Sequence, residues 1–507
     1  MVVKCKSFGL FGIESYPVEV EASVSGGVAA FDIVGLPDTA VKESRDRVRD
    51  AFRNSGFEFP ISRLTVNLAP ADTKKEGAMY DLPIFVAILK AAGGLSERLD
   101  DCAFLGELGL SGEVRSVNGV LPMTIEAKKN NIKRLFVPAA NAAEGAVIDG
   151  VEVYPVRTVN ELYDHFKGRT TITPAQPRII KPDNSDLPDF AQVKGQYEAK
   201  RALEVAAAGG HNVLLIGPPG SGKSMLAKRM TGILPDMTMD ETIETTKIHS
   251  IAGMLPEGVS LVSARPFRAP HHTVSSISIS GGGTTVKPGE VSLANNGVLF
   301  LDELPEFGRK TMEVLRQPLE DGTVTVSRVS GKYTYPCNFM LIAAMNPCPC
   351  GYFTHPTRQC ICSQNQVRRY LNRVSGPLLD RFDIQIEVPP VEYDDLNKKF
   401  RCEPSSEIKK RVNAARAIQT ERYKDSATTC NARVTEKEFE KYFGLTDEAS
   451  KLLKAVFEKM ELSARGYTRI IKVARTIADL AQSEIIDAEH IAEAVQYRSL
   501  DRKYWSR

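Results

Sequence analysis

The sequence predicts an α/β multidomain protein. An α+β block comes first, then an α/β core built around a glycine-rich loop, then a helical C-terminal lid. Three observations carry this. Asn212-Val-Leu-Leu-Ile216 reads as a buried strand, residues 217–224 as a glycine-rich loop, and Met225-Leu-Ala-Lys-Arg-Met230 as the helix that follows. Before residue 166, short β-type runs alternate with helical patterns. Beyond residue 400, apolar residues recur with helical spacing and no strand signal separates them.

The elements follow in order. In the block 1–166, Val18-Glu-Val20 and Arg63-Leu-Thr-Val-Asn-Leu68 read as strands, and 82–92 has a helical pattern. Pro174, Pro177, Pro182 and Pro188 then fall among polar residues, which is linker chemistry over 167–188. The core is expected over 189–395. The lid is expected over 396–507, with helices at 406–424, 447–460 and 467–483.

A chain of 507 residues has room for about three such units. Its 42% hydrophobic and 25% charged residues are ordinary for a folded globular protein. With a net charge of +2, no bulk field draws nucleic acid or acidic membrane, so any polyanion site is a local patch. No apolar run is long enough to span a bilayer, and Met1-Val-Val-Lys-Cys-Lys6 lacks the apolar core of a signal peptide. The expectation is a cytoplasmic protein with no membrane partner. There the nine cysteines stay mostly reduced, and a cysteine cluster reads as metal-binding rather than disulfide.

The loop carries the most chemistry. Gly217, Pro218, Pro219, Gly220, Ser221, Gly222, Lys223 and Ser224 fit G-x-x-x-x-G-K-[ST] at each fixed position. Backbone N–H groups of such a loop cradle nucleotide phosphates. Lys223 would reach the β/γ-phosphates and the Ser224 hydroxyl would sit on Mg²⁺. Gly297-Val-Leu-Phe-Leu-Asp-Glu303 is an apolar strand ending in two carboxylates. Asp302 suits Mg²⁺, and Glu303 suits the general base on the attacking water. Phe339-Met-Leu-Ile-Ala-Ala-Met-Asn346 is another buried strand with a polar end. Asn346 either orients the lytic water or turns the chain before Pro347. In Leu378-Leu-Asp-Arg-Phe-Asp383, Arg381 stands on a turn. It either offsets charge on the γ-phosphate of a neighbouring subunit or pairs internally with an Asp, and the residues alone leave both open.

The order GPPGSGKS, FLDE, AAMNP, LLDRFD is similar to that of AAA+ ATPases of the magnesium-chelatase and minichromosome-maintenance helicase branch, over residues 190–500. The resemblance implies an AAA+ P-loop core with ATP and Mg²⁺ as ligands. It also implies a homo-oligomeric ring, a hexamer by expectation, with Arg381 as an arginine finger acting in trans. The stretch 462–475 looks like the branch's lid helix. Arg465 aligns best with its sensor arginine and Arg469 second, the alternative being a solvated basic face. Residues 262–290 resemble the branch's helix-2 insert. Residues 323–335 read as two alternating strands around Ser330-Gly331, a hairpin signal. They resemble the pre-sensor-1 hairpin that lines the pore of such rings. Arg328 and Lys332 near its tip would grip a nucleic-acid backbone or would be ordinary surface charge.

Gly77-Ala-Met-Tyr-Asp-Leu-Pro83 and the stretch 104–119 resemble the proteolytic domain of Lon and the terminal domain of the recombination ATPase RadA. This implies a Lon-protease-like (S5 domain 2-like) α+β N-terminal domain. Peptidase chemistry is not expected. The nucleophilic Ser of Lon falls where this chain has Ala78-Met79-Tyr80-Asp81, and its Lys falls where Gly119 is followed by Val120-Leu121-Pro122. A scaffold, oligomerisation or nucleic-acid-docking role remains. Arg45, Arg47, Arg49 and Arg53 are either a basic face or the solvated side of an amphipathic helix.

A Lon-like block joined to a chelatase-type AAA+ module resembles the bacterial ComM/YifB family, over essentially the whole chain. Known members act as hexameric DNA helicases that promote branch migration during natural transformation, so DNA is the implied partner. Two other readings stand beside it. A metal-chelatase motor subunit would need a partner with an integrin-like metal-binding domain. A protein-remodelling ATPase would present an aromatic pore loop, where this chain has Gly232-Ile-Leu-Pro-Asp-Met237.

Cys348-Pro-Cys350 and Cys360-Ile-Cys362 are two C-x-C pairs. They are either four reduced thiols in a loop or a tetrahedral Zn²⁺ site, with His355 as a substitute ligand. A four-cysteine site leaves no open position, so such a zinc would be structural. Cys5, Cys102, Cys337, Cys402 and Cys430 stand isolated.

Overall fold

The computed structural model describes residues 2–177, 188–283, 286–328, 331–390, 402–426 and 428–505. The middle of the expected linker, Ser330 of the expected hairpin turn and the expected core–lid boundary lie outside the described residues.

Seven strands of the first block are β1 (Val2–Phe11), β2 (Glu14–Ser25), β3 (Ala30–Val34), β4 (Arg63–Ala69), β5 (Cys102–Phe104), β6 (Arg134–Pro138) and β7 (Glu152–Val156). They form one mixed sheet in the order β3-β4-β2-β1-β5-β6-β7. Pairings of β2 with β1 and β4 are antiparallel, and the other pairings are parallel. Alternation does the sorting. Leu64, Val66 and Leu68 of β4 point into the core while their neighbours do not. The helices α1 (Thr39–Asn54), α2 (Asp81–Ala91) and α3 (Val120–Lys129) supply the other half of that core. Every residue of α2 from Asp81 to Leu89 is buried, so its sequence is apolar nearly all round.

Arg47 resolves part of the arginine question. It leaves the solvated face of α1 and donates to both carboxylate oxygens of Asp81, at 2.7 and 3.0 Å. Asp81 is wholly buried and also accepts from the Leu108 N–H at 3.1 Å. Arg49 pairs with Asp46 at the surface. The stretch that resembles the nucleophile segment of Lon therefore holds a structural ion pair, which burial makes costly to break.

The second sheet contains β8 (Val213–Ile216), β9 (Phe267–Arg268), β10 (Val298–Leu301), β13 (Met340–Met345) and β14 (Ile384–Glu387), with β11 (Thr323–Arg328) and β12 (Gly331–Pro336) forming a separate hairpin before β13. The sheet order is β9-β10-β13-β8-β14, with every neighbour parallel. Its central strands are apolar throughout because both faces are covered. In register, Ile216 stands opposite Met345 and Glu387, so the segments that follow these strands emerge at one end. Chain entering β8 and β14 gathers at the other end, where the Asp383 N–H donates to the Asn212 carbonyl at 3.0 Å.

The helices around this sheet are α4 (Tyr197–Gly209), α5 (Lys223–Lys228), α6 (Met239–Ile251) and α7 (Gln364–Leu371). The carboxyl-terminal region is helical: α8 (Ser405–Arg422), α9 (Asp447–Met460), α10 (Ala464–Leu480) and α11 (Ala488–Gln496). Ala202 and Leu203 of α4 share one apolar cluster with Ile470, Ile471 and Ala474 of α10. Two helix starts differ from the sequence reading by more than one residue. The helix after the loop begins at Lys223, because Gly222 takes the left-handed cap with φ 93°. The last long helix begins at Ala464, because the Ser463 side chain accepts from the Gly466 N–H at 3.1 Å.

Among the described residues, two contacts illustrate how the two sheets are joined. The Phe11 and Tyr333 rings pack with centroids 4.6 Å apart, which docks the β1–β2 turn on the β11–β12 hairpin. Glu144, 3% exposed, accepts from the Leu121 N–H at 2.7 Å and from the Ser250 hydroxyl near the end of α6. Burial raises the Glu144 carboxyl above the usual range, and these donors pull it back. Among the described residues, no helix is long and apolar enough to cross a membrane.

Candidate functional site

The loop 217–222 leaves β8 at the carboxyl end of the sheet, the end where open parallel sheets bind ligands. A Cβ on Gly217 would lie 2.3 Å from the Val388 carbonyl oxygen, so only glycine fits between β8 and the chain after β14. The Ser221 hydroxyl is buried with no hydrogen-bond partner among the described residues. An orphaned buried hydroxyl is costly, and a ligand oxygen would satisfy it. The Lys223 ammonium donates to the carbonyls of Gly217 and Pro218 at 2.7 and 2.8 Å and to Asn346 Oδ1 at 3.2 Å. Burial pushes Lys223 down to about 8, with the Asp302 and Glu303 carboxylates acting the other way.

Ser224 Oγ donates to Asp302 Oδ2 at 2.5 Å, which joins the start of α5 to the end of β10. A hydroxyl and a carboxylate this close, beside a lysine, are hard oxygen donors of the kind Mg²⁺ takes. Glu303 follows in the left-handed region with φ 53°, an uncommon conformation for a non-glycine residue. Its backbone N–H donates to Asp302 Oδ1 at 3.0 Å. Its side chain is exposed and stands 3.5 Å from His272 Nδ1. The His271 and His272 rings pack at 4.1 Å, and both follow β9.

The structure thus brings Lys223, Ser224, Asp302, Glu303 and Asn346 together. It does not bring Arg381, Arg465 or Arg469 to them. Those three line a cavity of about 870 Å³ with Glu320, Arg433 and Lys472. Asn212 and Asp383 also line it, which puts it at the amino end of β8 and β14. The length of β8, roughly 13 Å of strand, separates it from the loop. Arg381 donates to the Pro377 carbonyl at 2.7 Å and to Glu320 Oε2 at 2.5 Å. Its partner is therefore a Glu, neither of the Asp residues that flank it. Arg469 is mostly buried and lies 3.7 Å from Asp383, while Arg465 is exposed.

The four cysteines of the C-x-C pairs converge. All four sulfurs lie within 4.8 Å of one another. Cys348 is buried in the same apolar cluster as Ile216 and Met345. The Phe353 N–H donates to Cys348 Sγ at 3.3 Å. Burial works against the Cys350 thiolate, yet the N–H groups of Tyr352 and Ile361 and the neighbouring thiols bring it down to about 6. His355 instead accepts from the backbone of Thr357 and Arg358.

Comparison with known proteins matches residues 189–396 to the family model of magnesium chelatase, subunit ChlI. Residues 20–141 match that of subunit ChlI of Mg-chelatase, and 402–498 that of the ChlI C-terminal region. The chain is 44% identical over 498 residues to competence protein ComM of Haemophilus influenzae, covering 97% of this chain and 96% of that protein. It is 43% identical over 500 residues to YifB of Escherichia coli, with the same two coverages of 97% and 96%.

The chain belongs to the ComM/YifB family.

In this ComM/YifB-family protein, the second sheet and its helices form an AAA+-type ATPase module of the magnesium-chelatase kind. The magnesium-chelatase 38 kDa subunit of Rhodobacter capsulatus is a more distant relative, 25% identical over 197 residues, which cover 35% of this chain and 55% of that protein. Two neighbours of the site were not singled out from the sequence. His272 lies in the quoted insert, but nothing local ties it to Glu303. Glu320 sits in a short helix far from Arg381 in sequence, and only the fold joins them.

Proposed function

We propose that this ComM/YifB-family protein is a ring-forming ATP hydrolase that moves on DNA, a cytoplasmic helicase of the branch-migration kind serving recombination during transformation. The residues at 217–224 hold the phosphates of ATP, with Lys223 on the β/γ-phosphates. Ser224 and Asp302 hold Mg²⁺. Glu303 takes the proton of the attacking water, and Asn346 orients that water. Arg381 enters the site of the next subunit, joined there by the sensor arginine, Arg465 before Arg469. Residues 189–395 act as the core and 396–507 as its lid. Residues 1–166 serve as a Lon-like, non-proteolytic scaffold joined by the linker 167–188. Cys348, Cys350, Cys360 and Cys362 hold a structural Zn²⁺.

One observation carries the reading. Lys223 and Arg381 lie at opposite ends of one parallel sheet, so a complete hydrolytic site needs two copies of the chain. A homo-oligomeric ring, a hexamer by family expectation, meets that need. Support for DNA comes from Arg328 and Lys332, which are exposed near the end of the β11–β12 hairpin, and from the competence name of the Haemophilus relative.

The deciding experiment measures ATP hydrolysis with and without single-stranded, duplex and forked DNA, together with strand exchange on a branched substrate. Stimulation by DNA and movement of the branch are expected. No binding and no stimulation with any DNA would move the reading to a protein-remodelling or chelatase-type motor.

A further inference from the structure

We propose that Cys348, Cys350, Cys360 and Cys362 take one zinc-class divalent ion, and that this ion sets nucleotide affinity by fixing the wall of the phosphate loop through Gly351 and Pro219. The second half of this proposal rests on the reading of 217–224 as an ATP site; the first half does not.

The donor set is built for such an ion. Sulfur separations are 3.4 Å for Cys348–Cys350, 3.7 Å for Cys348–Cys360 and 3.6 Å for Cys350–Cys360. A tetrahedron with Zn–S bonds of about 2.3 Å has edges of about 3.8 Å, so an ion fits among these sulfurs with small adjustment. The separations are far longer than a disulfide bond of about 2.05 Å. The Phe353 N–H on Cys348 is the kind of second contact that orients a thiolate ligand. The chain between β13 and α7, from Asn346 to Ser363, forms no helix or strand. Its backbone pairs only in turns, as where the Gly351 N–H donates to the Cys348 carbonyl and the His355 N–H to the Tyr352 carbonyl. A stretch this long needs a further source of order, and a four-thiolate ion supplies one.

The route to the nucleotide is short. Gly351 follows Cys350 directly and has φ 84°. A Cβ at Gly351 would lie 2.4 Å from Pro219 Cδ and 2.7 Å from Cγ. The knuckle of the first C-x-C pair therefore rests on the second proline of the phosphate loop, with no room for a side chain between them. On the other side, Cys348 is two residues beyond Asn346, which accepts from Lys223 at 3.2 Å. Removing the ion frees the knuckle, and with it both the loop wall at Pro219 and the Asn346 carboxamide. Four protein sulfurs leave no open coordination position, so the ion positions groups and touches no substrate.

The test uses the full-length protein. Metal content is read by elemental analysis, and the site is probed with Co²⁺, whose visible ligand-field bands report tetrahedral thiolate coordination. Affinity for ATP with Mg²⁺ is measured on the metal-loaded chain, after chelation, and after zinc is returned. One zinc per chain and a thiolate Co²⁺ spectrum are expected. Chelation or Cys360→Ser should weaken nucleotide binding by roughly 5- to 150-fold, the usual span of coupling between two sites, and returned zinc should restore the chelated wild type. Gly351→Ala should keep its metal and still weaken nucleotide binding, which separates the contact from loss of folding. A wild-type chain that takes neither Zn²⁺ nor Co²⁺ overturns the site. A loaded and a metal-free chain with nucleotide affinities within about twofold overturn the coupling. A metal-loaded chain that does not bind ATP at all sinks the nucleotide reading of 217–224, with the metal stoichiometry still standing.

Discussion

Arg381 is bonded to Glu320 at 2.5 Å, at the end of the sheet opposite the phosphate loop. The pair holds the guanidinium in a polar cavity that its own Lys223 cannot reach. A neighbouring copy docking its loop against this cavity would offer phosphate oxygens in place of the Glu320 carboxylate.

The first prediction follows from that placement. Arg381→Ala should lower turnover by about 10³- to 10⁵-fold while nucleotide still binds. Lys223→Ala chains should be inactive by themselves. A mixture of the two variants should regain hydrolysis, because the loop of one and Arg381 of the other complete a site. If the mixture stays as inactive as its parts, the arginine does not act between subunits.

Glu303 gives the second. Its side chain is exposed beside His272, and among the described residues it makes no hydrogen bond that holds the loop together. Glu303→Gln should therefore retain ATP binding and assembly and lose turnover by roughly 10²- to 10⁴-fold. Near-normal hydrolysis in a steady-state assay would remove the general-base assignment.

The third concerns pH. Lys223 sits at about 8 in the folded chain, below its ordinary 10.5. A lowered lysine penalises the fold while both folded and unfolded chains hold the proton, below about 8, and the penalty fades as pH rises toward 10.5. Phosphates favour the ammonium, so their binding draws the proton back. ATP affinity should be flat in pH below about 8 and fall above it, with proton uptake on binding. Calorimetry in two buffers of different ionisation enthalpy reads that uptake. Lys223→Met should abolish it, and uptake that persists in this variant would place the proton elsewhere.

The fourth concerns the docking of the two sheets. Phe11→Ala removes a ring pair worth about 0.5–1.5 kcal/mol. Glu144→Ala strands the Leu121 N–H and the Ser250 hydroxyl, at a cost of about 1–3 kcal/mol. Both variants should lower the unfolding midpoint, and the double variant should expose the 167–188 region to protease sooner. Unchanged melting of Glu144→Ala would mean that the buried contact contributes nothing to docking.

Much of the site was legible before the fold because its parts are local. The phosphate loop needs glycine where φ is positive, as at Gly222, and needs Lys and Ser at the start of the next helix. Asp302 and Glu303 end an apolar strand, a pattern visible in one line of sequence. The C-x-C pairs were visible as pairs. Arg47 was less legible: helical spacing put it among solvated arginines, and only the position of Asp81 turns it inward.

What the amino-acid sequence determined by itself was therefore the identity of the chemical groups and the elements that carry them, since strand alternation, helix caps and glycine turns act over a few residues. What the tertiary structure decided was which groups meet. Parallel register aligned Ile216 with Met345 and so brought Lys223 to Asn346. The same register carried Arg381 to the opposite end. Long-range packing set Gly351 on Pro219 and Phe11 on Tyr333. Those meetings depend on strand order and core packing across hundreds of residues, which no local pattern encodes.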